Sequence, residues 1–95
     1  MLVGLDVADE DAYAAYRAEM SPILGRYGGG FRLDFTVART LKSDVPHGIS
    51  RVFIIHFPDA KRRDGFFADP EYRLAKERHF ARAVLHTAVL AEYVR

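Results

Sequence analysis

At 95 residues, 49% of them hydrophobic and 28% charged, the chain has material for one domain, residues 1–95, burying roughly 60–65% of its unfolded surface. Fourteen Lys and Arg against thirteen Asp and Glu leave a net charge of +1, which gives no strong long-range pull toward nucleic acid or an anionic membrane. The lack of cysteine excludes disulfides, thiolate nucleophiles and cysteine-ligated metal, and makes the cytoplasm the expected compartment.

The opening segment Met1 to Val7 alternates weakly and runs into Asp9-Glu10-Asp11, acids that favour a helix N-terminus through capping and the helix dipole. No basic segment precedes it and no apolar run approaches a membrane span, so neither secretion nor membrane insertion is expected. In the helix that follows, Tyr13, Tyr16, Met20, Ile23, Leu24 and Tyr27 recur at three- and four-residue spacing on one face, with Arg17, Glu19 and Arg26 turned outward. Pro22 removes one backbone bond and predicts a bend, and Gly28-Gly29-Gly30 ends the helix.

From Phe31 to Thr40 the period changes to two, with Phe31, Leu33, Phe35 and Val37 on one side and Arg32, Asp34 and Thr36 on the other. Lys42 to Gly48 reads as a loop, and Ser50 to Phe57 as a more central strand, apolar on both faces. Pro58 then stops the ladder, Asp59 caps a helix, and Asp69-Pro70 restarts it at a new angle. Phe66, Phe67, Tyr72, Ala75 and Phe80 point inward from this broken helix, and Val84 to Tyr93 is a last strand.

Strand, helix, strand, strand, helix, strand is the split βαβ order of ferredoxin-like α+β folds: a four-stranded antiparallel sheet with helices on one face. Within it, right-handed crossovers suggest the first and third strands as parallel neighbours at the centre. The face without helices, holding Leu2, Gly4, Asp6, Arg32, Asp34, Thr36, Val52, Ile54 and His56, is half apolar, and a second copy of the chain is its expected cover.

The chain resembles the domain-of-unknown-function family numbered 1330, within the dimeric α+β barrel superfamily. The likeness rests on Asp9 to Tyr16, Pro22, Tyr27-Gly28-Gly29, Arg51-Val52-Phe53, Phe57-Pro58-Asp59 and Phe66 to Tyr72. It implies two subunits whose sheets meet to form a barrel with helices outside. Where members of the family often carry an acid just before the Phe-Pro pair, this chain has His56. Related barrels include cofactor-independent monooxygenases, haem-degrading enzymes, lactone isomerases and plain interaction modules, so the resemblance leaves the activity open.

No motif amounts to a catalytic signature, so candidate sites follow from strand placement. If the first and third strands are parallel neighbours, Asp6 and His56 meet near their ends, with Arg32 beside His56 and His86 or Thr87 beside Asp6. Asp6 would then orient His56 as a general base and Arg32 would hold an anionic group; a structural salt-bridge cluster is the competing reading. Tyr16 and Tyr72 could offer hydroxyls to a ligand between the helices and the sheet, or be simply core.

His79 sits on the helix from which haem-degrading relatives take their axial ligand, but Lys76, Arg78 and Arg82 flank it and point to a solvated histidine. The four histidines lack metal-binding spacing, and acids interrupt the basic series from Lys61 to Arg82, so neither a metal nor nucleic acid is expected. The expectation is therefore a homodimer that binds or transforms a small, partly apolar molecule without a cofactor. The alternatives are a non-catalytic structural or interaction dimer and a haem-binding or haem-degrading relative.

Overall fold

Three aspartates start the three longest helical segments of the computed structural model, which describes residues 1–93. The Asp9 side chain accepts from the amide of Ala12 at 3.0 Å at the start of α1 (Glu10–Arg26), and Asp59 accepts from Arg62 at 2.7 Å at the start of α2 (Ala60–Ala68). Asp69 accepts from the amides of Glu71 and Tyr72 and opens α3 (Pro70–Ala75), where Pro70 occupies the first turn as expected. A π-helical turn (Lys76–Phe80) and a short α4 (Ala81–Ala83) follow without a loop.

The C-terminus of α1 closes in a Schellman motif. Gly28 takes φ +72°, the amide of Gly29 donates to the Leu24 carbonyl at 3.0 Å and that of Gly28 to the Gly25 carbonyl at 3.0 Å. At Gly29 a Cβ would lie 2.9 Å from the His56 carbonyl oxygen, so the helix end and the third strand approach too closely for a side chain. Helix α1 runs unbroken through Pro22.

The strands β1 (Leu2–Val7), β2 (Gly30–Thr36), β3 (Arg51–His56) and β4 (Val84–Ala91) form one antiparallel sheet in the order β2-β3-β1-β4. The centre is as expected from sequence, but the direction is not: β1 and β3 are antiparallel, with Leu2 opposite Ile54 and Leu5 opposite Arg51. Helix α1 carries the chain across so that β1 and β2 run the same way, and β3 returns between them, opposed to both.

A second departure comes from a bulge in β2. Phe31 faces Ile55 and Leu33 faces Ile54, so Arg32 is the extra residue and every side chain after it changes face. Asp34 therefore joins Phe53 on the helix side, while Leu33 and Phe35, expected in the core, are about half exposed on the other side with Ile54 and Val52. The core that remains is Val3, Leu5, Phe53, Ile55 and Val84 of the sheet against Tyr13, Tyr16, Met20, Ile23, Leu24, Phe66 and Tyr72 of the helices.

Candidate functional site: an aromatic cavity between helices and sheet

The antiparallel register takes the proposed dyad apart. Asp6 lies at the end of β1, opposite His86 on β4, where the amide of Ser50 bonds the Leu5 carbonyl. His56 lies at the far end of β3, opposite Gly30, roughly 20 Å away along the strand at about 3.4 Å per residue. Asp6 cannot orient His56 within one chain.

Each half of that predicted cluster has other company. His86 stacks on His47 of the loop, with ring centroids 4.5 Å apart and an interplanar angle of 11°, beside the Asp6 carboxylate. Arg32 and His56 do share a cavity, of about 290 Å³, at the opposite end of the sheet with Pro58, Asp59, Arg63 and Glu92. Its charges are mixed, and Asp59 is engaged as the cap of α2.

His79 is not solvated. Its Nε2 lies 3.0 Å from a Glu19 carboxylate oxygen on α1, its side chain is 16% exposed, and its Nδ1 is buried without a hydrogen-bond partner. Among the described residues no group of three or more His, Asp or Glu is arranged to hold a metal ion, and no helix is long and apolar enough to cross a membrane.

Tyr16 and Tyr72 do come together. Their hydroxyls are 2.9 Å apart and buried, at one wall of an open cavity of about 240 Å³ lined by α1, α2, α3, the π-turn and the sheet. Phe31, Phe53, Phe66, Phe67 and Phe80 complete an aromatic lining, with Thr87 and Val89 of the edge strand β4 at the rim. Burial pushes the Tyr16 hydroxyl far above its ordinary value, with Tyr72 beside it adding to the shift, and burial likewise raises Tyr72. Both phenols therefore stay protonated at neutral pH. Tyr16→Phe should lower stability by about 1–2 kcal/mol in urea denaturation, because the Tyr72 hydroxyl loses its buried partner.

One wall of the cavity is polar in a way the strand pattern concealed. Arg17, expected on the outer face of α1, lies with its guanidinium 3.7 Å from the centroid of the Phe31 ring and donates from Nε to the Tyr13 hydroxyl at 2.8 Å. Its other nitrogens donate to both carboxylate oxygens of Asp34, and Arg51 does the same from β3 at 2.8 Å. Hydrogen bonds from Arg51 hold the Asp34 carboxyl below its ordinary value against the opposing effect of burial, and those from Arg17 add to them. An acid at the second position after a bulge is the only sequence mark of this network, and a bulge has no reliable signature.

The fold and cavity define a ferredoxin-like α+β domain with an aromatic chamber under its helices. The chain belongs to the family described as Domain of unknown function (DUF1330), which it matches over residues 1–93. A protein of unknown function from Rhodopseudomonas palustris, RPA0582, is similar in crystal structure, with a TM-score of 0.75 and 26% identity, covering 92% of this chain and 74% of that one. The methylated RPA0582 protein superposes with a TM-score of 0.78 at 23% identity, over 99% of this chain and 78% of that one. Comparison with curated proteins gives no match.

Proposed function

We propose that the chain forms a homodimer and binds a small, partly apolar molecule, without a cofactor, in the aromatic cavity. The cavity itself supports this reading most directly. At about 240 Å³ it is larger than the 150 Å³ cavity known to take up benzene, and so suits a single ring with a short substituent. It falls below the roughly 300–1,000 Å³ of pockets for drug-sized ligands, and His79 is directed to Glu19 and not to the cavity, so nothing favours haem.

Binding fits these side chains better than acid–base chemistry. No carboxylate or imidazole lines the cavity among the described residues, and its phenols hold their protons. Tyr16 and Tyr72 offer hydrogen bonds to the polar edge of a ligand, and the rings hold its carbon skeleton. A thermal-shift screen of single-ring aromatic compounds tests the reading. Binders are expected, and Thr87→Trp, which fills the rim from an exposed position on an edge strand, should abolish their effect while the protein stays folded. A folded protein that binds none of them would leave the non-catalytic dimer as the better account.

The outer sheet face supports the dimer. Leu33, Phe35 and Leu90 are 54%, 50% and 40% exposed, and Val52 and Ile54 lie between them on a face that no helix among the described residues covers. Burying one Leu or Phe side chain contributes about 1.5–3 kcal/mol, and a two-fold axis through the sheet would use each residue twice. Phe35→Glu and Ile54→Glu should each shift the protein to monomer in sedimentation velocity at micromolar concentration. A monomeric parent protein would refute the dimer.

A further inference from the structure

We infer that the ligand of this cavity is an anion, a single-ring aromatic carboxylate, and that Lys76 anchors its carboxylate; the inference rests on the cavity reading above. Among the described residues, Arg17 and Lys76 are the two charged side chains that line the cavity, both are cationic, and no acid lines it.

The two cations are not equally available. Arg17 is committed: Nε serves the Tyr13 hydroxyl and both terminal nitrogens serve Asp34. Lys76 takes part in no ion pair among the described residues. Its ammonium lies over the Phe80 ring, 5.4 Å from the centroid, a contact that leaves its N–H donors free to meet a carboxylate. An anion bound there would exchange water for a charge-assisted hydrogen bond beside low-dielectric walls, where such a bond is stronger than in bulk water.

Backbone geometry points the same way. Tyr72, Lys76 and Phe80 all line the cavity, although positions i, i+4 and i+8 drift steadily around an ordinary α-helix. The first interval is α-helical and the second is the π-helical turn, whose wider i+5 bonding takes back the drift and returns Phe80 to the row. The result is a hydroxyl, an ammonium and a ring in line along one wall. A π-turn sacrifices regular α bonding, and here it faces the cavity.

Isothermal titration at pH 7.5 with phenylacetate, phenylacetamide and phenethylamine separates charge from shape. Phenylacetate should bind about tenfold or more tightly than the isosteric amide, and the amine weakest. Lys76→Gln should erase the preference for the acid over the amide, and Lys76→Arg should retain it. Lys76 is exposed, so both variants should fold, and circular dichroism checks this. Equal binding of acid and amide by the parent protein would overturn the inference and leave the cavity reading intact. Persistence of the acid preference in Lys76→Gln would also overturn it, transferring the anchor to Arg17. Failure of all three compounds to bind would bring down the cavity reading itself.

Discussion

Phe66→Ala should destabilise the protein by about 3–5 kcal/mol, enough to leave much of a small domain unfolded at 37 °C. Phe66 is fully buried and sits among four aromatic neighbours, with centroids 4.3 Å from Tyr72, 5.1 Å from Phe67, 5.6 Å from Phe57 and 6.2 Å from Tyr27. Those neighbours come from the end of α1, the end of β3, α2 itself and α3, so no single movement can collapse the void. Because Phe66 also lines the aromatic cavity, its removal enlarges the space a ligand would occupy. Denaturant melts with and without a bound aromatic compound should show the variant recovering part of its loss from ligands larger than the parent protein accepts. A loss below about 1 kcal/mol would mean that the cluster is far looser than these distances describe.

Asp34→Asn should cost about 2–4 kcal/mol, because it leaves the guanidinium groups of Arg17 and Arg51 facing one another without the carboxylate that both bind. The value falls short of a fully buried ion pair because the Asp34 side chain is 28% exposed. The pH dependence has a definite sign. The folded pKa of Asp34 is depressed, so its contribution is fully present above the unfolded value near 3.9 and is lost as pH falls through the lower folded value. Urea midpoints followed from pH 6 downward should therefore converge for the parent protein and Asp34→Asn only below about pH 4. Arg17→Met and Arg51→Met in a double-mutant cycle should be strongly non-additive, since each removes a partner of the same carboxylate. Parallel stability curves across that range would show that Asp34 is not held by the two arginines.

Much of the fold is legible in the chain because local chemistry specifies it. Asp9, Asp59 and Asp69 cap the helices they precede, Pro70 sits where its missing donor is harmless, and Gly28 takes the left-handed backbone that ends α1. The large residues of α1, α2 and α3 fall inward at helical spacing, Tyr16, Phe66 and Tyr72 among them. These features depend on neighbours within a few positions. Side-chain type and spacing alone determine them.

The site was a tertiary decision. One extra residue at Arg32 reverses the faces of Leu33, Asp34 and Phe35, moving an acid under the helices and two large apolar side chains out. The return of β3 between β1 and β2 sends Asp6 and His56 to opposite ends of the sheet, a consequence of strand direction that no residue type announces. The π-turn decides where Lys76 and Phe80 point, and Arg17 becomes part of a wall only because β2 and β3 bring Phe31, Asp34 and Arg51 to it. Periodicity assigns a residue to a face of its own element, whereas bulges, register and strand direction decide which elements share that face, and they are set by long-range packing.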